Sequence, residues 1–177
     1  ILNSEIRTAE LVYAGQEIEI TETYAGFYNE RQKAAVSLDK ILEQNKQFGI
    51  GANGEMSAVT FGLFAAEDLT AADGSVIPAD GLLEILSVDE NGHADCKTDL
   101  PLGSFYLKEL STDEHYIFSD EKYTIVFEYA GQETALVEIK ANDGKPIGND
   151  LIYGEIHGLK KNEDGNALGG AVIGLFK

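Results

Sequence analysis

"KAAVSLDK", residues 33–40, decides the fold. Read with a period of two, it sets Val36, Leu38 and Lys40 on one face and Lys33, Ala35, Ser37 and Asp39 on the other. Alternation of this kind marks a half-buried β-strand. The odd feature is a lysine that shares the apolar face.

The same period runs outward in both directions. "EIEITETY" (17–24), "AVTFGLF" (58–64), "GLLEILSV" (81–88), "SFYLKEL" (104–110), "YTIVFEY" (123–129) and "ALVEIK" (135–140) all read as strands. Turn signals separate them: "ADG" at 72–74, "ENG" at 90–92, "NDG" at 142–144 and "EDG" at 163–165. Short strands at this spacing predict an all-β, antiparallel sandwich. Two stretches, "LDKILEQNKQ" (38–47) and "AAEDLTAA" (65–72), read as helical loop excursions.

The chain also repeats itself. "YAGQE" occurs at 13–17 and at 129–133, 129 − 13 = 116 residues apart. "EIRTAELVYAGQE" (5–17) lies over "EKYTIVFEYAGQE" (121–133), with Glu5 on Glu121 and Thr8 on Thr124. Beyond the shared phrase, "FYNERQKAAVSLDK" matches "IGNDLIYGEIHGLK" at a constant offset, 149 − 29 = 120. That offset sets Asn29 on Asn149, Val36 on Ile156 and Lys40 on Lys160. "AVTFGLF" (58–64) resembles "GAVIGLF" (170–176). Self-similarity at domain spacing is the mark of a tandem array. It predicts that residues 1–30 are the terminal strands of a preceding repeat, 31–152 a complete domain, and 153–177 the opening strands of a following one.

Composition narrows the function. With 31 acidic and 13 basic residues the net charge is −18, a surface that repels nucleic acid and anionic membranes. Its general role is solubility. A single cysteine, Cys96, excludes an internal disulfide and leaves the compartment open. No apolar run reaches the ~20 residues that span a bilayer, and no signal peptide is visible. Tryptophan is absent, and Tyr and Phe total 8 + 8 = 16.

Three polar residues fall on apolar faces. Lys40 accompanies Val36 and Leu38; Glu109 accompanies Phe105 and Leu107; Asn149, in "PIGNDL", alternates with Ile147 and Leu151. Buried charge is costly, which favours a neutral lysine and a protonated glutamate. A neutral amine is a nucleophile, a carboxyl carries protons, and a carboxamide carbon is an electrophile. Together they can form a Lys–Asn isopeptide with loss of ammonia, once per molecule and without turnover. The Asn and Lys recur at one separation, since 40 − 29 = 11 and 160 − 149 = 11.

At these residues the chain resembles a known family. "GEIHGLKKNEDGNALGGAVIGLF" (154–176) is similar to the opening of a Cna B-type domain, the repeated stalk module of Gram-positive adhesins and pilins. The matching positions are Gly154, Ile156, Lys160, the "NEDG" turn, 168–171 and 172–176. "LPLGSFYLKELSTDEHYIFSDEKY" (100–123) resembles the family's "LPxGxYxLxE…Y" segment, and "IGNDLIYG" (147–154) its closing strand. The resemblance covers essentially the whole chain. Residues 41–57 depart from it, with a long insertion and no "DxDG" turn.

The resemblance implies an immunoglobulin-like, transthyretin-like Greek-key β-sandwich with an autocatalytic isopeptide. Carried over residue by residue, it joins Lys40 to Asn149 with Glu109 as the promoting acid. Lys33 is the competing lysine, on the more polar face. Asn29 and Lys160 would belong to bonds of the flanking domains and stay unreacted. The implied role is a structural, cell-wall-anchored surface module, extracellular and not a turnover enzyme. Its expected partners are adjacent repeats, with a host matrix protein or glycan reached through another region; no cofactor, nucleic acid or membrane partner is expected.

The alternative is a binding module, for which Tyr24, Phe27 and Tyr28 form the dense aromatic set. His93, His115 and His157 lack metal-ligand spacing and read as surface or packing residues. "DEHYIFSDE" (113–121) lacks the ligand order of a calcium loop, and "NEDGN" (162–166) reads as a plain turn. Cys96 has no base motif beside it and reads as inert. No Walker loop, dinucleotide fingerprint or serine elbow is present.

Overall fold

The structure, a computed structural model, describes residues 4–10, 26, 29–70 and 74–174. The first strand, β1 (Lys33–Leu42), contains the opening stretch, and its burial alternates as read, with Val36, Leu38 and Lys40 buried and Asp39 exposed. Then follow β2 (Thr60–Ala65), β3 (Leu69–Thr70), β4 (Val76–Ile77), β5 (Leu82–Ser87), β6 (His93–Asp95), β7 (Gly103–Ser111), β8 (Lys122–Phe127), β9 (Leu136–Lys140) and β10 (Ile147–Asn149).

These strands form an all-β, immunoglobulin-like sandwich. One sheet is centred on β1, with β6 antiparallel to it and β9 and β10 parallel to its first and second halves. The other runs β5-β2-β7-β8, antiparallel throughout. A small hairpin of β3 and β4 completes it. Between the sheets lies one apolar cluster that includes Val36, Leu38, Phe61, Leu63, Phe105, Leu107, Ile125, Phe127 and Ile147. Burial of such side chains is the main favourable contribution to folding, about 1.5–3 kcal/mol for each large one.

Two short stretches depart from the sequence reading. Residues 38–42, expected to open a helix, continue β1. Pairing of residues 40–42 with β10 outweighs the helical spacing of Leu38, Ile41 and Leu42, and Ile41 is left on the exposed face. Within 65–70, Ala65 ends β2 and Leu69 and Thr70 pair with β4. The carboxylates of that stretch bind backbone instead: Glu67 accepts from the Ser104 N–H and Asp68 from the Ala79 N–H. Side-chain acceptors of this kind favour turns over helix.

The first "YAGQE" and "EIEITETY" lie outside the described residues. The second "YAGQE" is a turn held by a residue far away in sequence. Gln32, buried just before β1, donates to the Gly131 and Thr134 carbonyls and accepts from the Ala130 N–H. Residues 153–174 carry one isolated bridge, Lys161 with Ala167, and are exposed throughout.

Candidate functional site

Lys40, Glu109 and Asn149 come from three strands and meet in the interior. They are 2%, 1% and 4% exposed, as buried as the apolar core around them. β1 delivers Lys40 by strict alternation. The "ENG" turn fixes its height along the strand. The Lys40 N–H donates to the Gly92 carbonyl at 2.6 Å, and Gly92 lies so close that a Cβ there would stand 2.1 Å from the Lys40 carbonyl oxygen. Gly92 also has φ +86, a conformation that glycine adopts at little cost.

β10 pairs in parallel with β1 and sets Asn149 beside Leu42, two residues along from Lys40. The Lys40 Nζ donates to Asn149 Oδ1 at 2.6 Å and to the Ile41 and Ile147 carbonyls at 3.2 Å each. The Asn149 Nδ2 donates to both oxygens of Glu109, at 3.0 and 3.1 Å. Glu109 Oε1 stands 4.0 Å from Lys40 Nζ, so the carboxyl faces both the amine and the amide nitrogen. Its Oε2 accepts from the Ser119 N–H at 3.0 Å, which holds the acid in place from the loop before β8.

Burial pushes the Lys40 amine down to about 8; the nearby Glu109 carboxyl pulls the other way and does not offset the loss of hydration. The amine thus supplies a lone pair under mildly basic conditions. The carboxamide presents its oxygen to the amine and its nitrogen to a carboxyl. An amine, a polarised carbonyl and a proton carrier in contact, away from water, have the composition of a transamidation site.

The other singled-out residues are elsewhere. Lys33 is exposed at the start of β1, and Asn29 and Lys160 are exposed as well. His93 lies on the surface between Asp39 and Asp95, which raise its affinity for a proton, the Asp39 hydrogen bond most strongly. His115 pairs with Asp113 and His157 with Glu155. The Cys96 thiol donates to Glu84 at 3.0 Å and is pushed up to about 12 by burial, a state in which it is a poor nucleophile. Among the described residues no group of three His, Cys, Asp or Glu side chains is disposed to hold a metal ion. Tyr24, Phe27 and Tyr28 lie outside the described residues.

Sequence reasoning missed several neighbours. Thr112 accepts from Asn149 Nδ2 at 3.1 Å. Glu43 receives the Leu151 N–H at 2.8 Å and the Tyr153 hydroxyl at 2.7 Å, where the chain leaves β10. Tyr116 donates to the Glu43 carbonyl, and Ile117 and Ile152 donate to the carbonyls of Asp150 and His115. None of these follows an alternation, so no periodic signal marks them.

No protein-family model and no curated protein matches the chain. Solved structures do. The major pilin subunit of Bacillus cereus is 19% identical over 67% of this chain and 29% of its own, with a TM-score of 0.36. The group B streptococcus pilus 2b backbone protein is 16% identical over 68% of this chain and 42% of its own, with a TM-score of 0.40. The fimbrial protein FimP of Actonomyces oris is 11% identical over 68% and 30%, with a TM-score of 0.39. The chain spans less than half the length of each. Identities this low carry no statement about activity or partners.

Proposed function

We propose that the chain is a structural stalk module of a Gram-positive surface adhesin or pilin-like protein, tied by an isopeptide between Lys40 and Asn149. One observation carries the reading: an amine, a carboxamide and a carboxyl lie in mutual contact inside an apolar core, with Lys40 Nζ 2.6 Å from Asn149 Oδ1. Burying such a polar set carries a desolvation cost that an apolar set of the same volume would not.

The reaction balances within the site. As the neutral amine swings from Oδ1 toward the carboxamide carbon, Nζ forms the new C–N bond. Glu109 Oε1 takes a proton from Nζ and passes one to Nδ2. The bond from the carboxamide carbon to Nδ2 breaks and ammonia leaves. No oxidant, metal or second substrate is required.

The mechanical role follows from topology. β1 and β10 are parallel neighbours near the two ends of the folded part, so tension on the termini shears them past one another. A covalent tie across this pair takes the load before the hydrogen bonds do. It also removes the 109-residue separation between Lys40 and Asn149 from the path of the force. Gln32 secures the chain where it enters β1, and Glu43 secures it where it leaves β10. In this reading 31–152 is the complete domain, with 1–30 and 153–177 parts of neighbouring repeats; among the described residues the ten named strands fall between Lys33 and Asn149. Adjacent repeats are the partners in this reading, and the cell surface is the location.

Intact-mass spectrometry tests it. The expected mass is one ammonia below the sequence mass, with a branched Lys40–Asn149 peptide after proteolysis. An unshifted mass removes the isopeptide, and a branch at Lys33 reassigns the lysine.

A further inference from the structure

β7 does not run regularly. Glu109 pairs with Phe61, but Ser111 pairs with Thr60, so the register shifts by one residue at Leu110. Leu110 is turned outward, while Ser111 is pinned by its hydroxyl to Thr60 Oγ1 at 2.7 Å and to the Ala58 carbonyl at 2.8 Å. In an unbroken strand a residue three along from Glu109 would point to the opposite face. The irregularity brings Thr112 back to the side of Glu109, where its Oγ1 meets Asn149 Nδ2 at 3.1 Å. Bulges that re-aim a side chain cluster beside functional sites.

The Asn149 amide nitrogen has two hydrogens. One is shared between the oxygens of Glu109; the other goes to Thr112. The carboxyl decides which way the carboxamide faces, and the hydroxyl fixes the hydrogen that the carboxyl does not reach. We propose that Thr112 is a catalytic residue of the transamidation, holding the departing nitrogen while Glu109 delivers the proton that releases it as ammonia. This rests on the isopeptide reading above. The hydroxyl keeps its own proton throughout, so the balance of the reaction is unchanged. Its contribution is to keep Nδ2 aimed at the carboxyl as the nitrogen changes from planar to tetrahedral.

The test follows ammonia loss by intact mass in freshly synthesised full chain, sampled after synthesis is stopped. Thr112→Val keeps the shape and removes the hydroxyl; the expected slowing is about tenfold, the worth of one neutral hydrogen bond. Thr112→Ser should return the rate to near that of the wild type. The pH midpoint of the reaction belongs to Lys40 and should stay in place, with only the plateau lowered. On a Glu109→Gln background, where no bond forms, Thr112→Val should lower the melting temperature by no more than the loss of one neutral hydrogen bond. A Thr112→Val rate equal to wild type overturns the proposal. So does a slowing that Ser fails to rescue, or one accompanied by a shifted midpoint or by a fall in melting temperature on the unbonded background larger than one hydrogen bond accounts for. If the wild type itself keeps its ammonia, the isopeptide reading falls and Thr112 falls with it.

Discussion

The chain carries one residue pairing twice and treats the two copies differently. Asn149 and Lys160 are 11 residues apart, as are Asn29 and Lys40. From the four, the fold takes Lys40 and Asn149, one from each set, and buries them against each other; Asn29 and Lys160 stay exposed. Residue type and spacing therefore do not by themselves bury an amine against a carboxamide. Val36, Leu38, Ile147 and Leu151, which share the faces of Lys40 and Asn149, are buried, whereas Ile156, the match of Val36, and Leu159, next to Lys160, are 77% and 69% exposed. Water around an amine keeps it protonated and unreactive; desolvation favours the neutral form.

The largest test of this contrast removes each pair in turn. Lys40→Ala or Asn149→Ala should restore the full sequence mass, and Lys160→Ala or Asn29→Ala should leave the deficit of one ammonia intact. The stability cost should separate them as well. A tie across 109 residues constrains the unfolded chain by about 4–5 kcal/mol on the loop-entropy model for cross-links. For a domain of this size that is a fall in melting temperature on the order of 15 °C. Equal behaviour of the buried and exposed pairs would break the comparison.

Glu109→Gln tests the same site without removing either partner. The amide keeps a similar shape but cannot relay a proton, so the full mass should return while the sandwich still folds. A bond that forms in Glu109→Gln would show that burial of the amine alone suffices.

Next in size is Gly92→Ala. A Cβ at Gly92 meets the Lys40 carbonyl oxygen at 2.1 Å, so the "ENG" turn must back away and the N–H···O bond that sets Lys40 must stretch. The expected outcome is a loss of roughly 2–4 kcal/mol for backbone strain and lost packing, together with a lower yield of the mass-deficient form. Gly165, in the "EDG" turn near the exposed lysine, has φ +81 but nothing within 4 Å of its Cβ position. Gly165→Ala should leave the yield unchanged, although the strained φ carries its own small cost.

What was legible in the sequence, and what was not, divides along the same line. Val36, Leu38 and Lys40, or Phe105, Leu107 and Glu109, are periodic, and period two converts directly into a buried face. The three site residues were legible because they interrupt an apolar series in which a polar side chain stands out. Thr112 was not, since its side depends on a register shift at Leu110 that no local pattern records. Gln32 was not either: its partners lie about 100 residues away, in the "YAGQE" turn. The helices expected at 38–47 and 65–72 do not form over 38–47 or over the described part of the second, 65–70, for a related reason. Short apolar runs fit both periods, and pairing with β10 and β4 decided between them.

The rate of bond formation should also depend on pH. With the Lys40 amine brought down to about 8, the neutral fraction, and with it the rate, should rise through about that value and level off above it. An exposed lysine would be almost wholly charged over that range. The sign for stability can be read in Asn149→Ala, which cannot form the bond. Its unfolded chain binds more protons than the folded one between about 8 and the ordinary lysine value of 10.5, so its stability should increase with pH across that window. A rate that is flat through pH 8 would mean that the amine reacts from a different environment.

The smallest expected effect concerns Glu43, where the folded part meets the exposed segment. Its carboxylate sits below the ordinary range because the Leu151 N–H, then the Tyr153 hydroxyl, donate to it. The contacts therefore contribute above the unfolded-state value and are lost as pH falls through the folded one. Glu43→Gln keeps one oxygen acceptor but gives up the charge that strengthens both hydrogen bonds. Amide exchange at Leu151 and Ile152 should quicken, with little change in melting temperature, because the group is at the surface. The mass should still show the loss of one ammonia, since Asn149 is placed by its pairing with β1 and by the Asn149 carbonyl's bond from the Glu43 N–H, which the substitution leaves in place. If the yield falls instead, the clamp at the exit of β10 helps to aim the carboxamide, and the boundary between the buried site and the exposed segment lies further along the chain than Asn149.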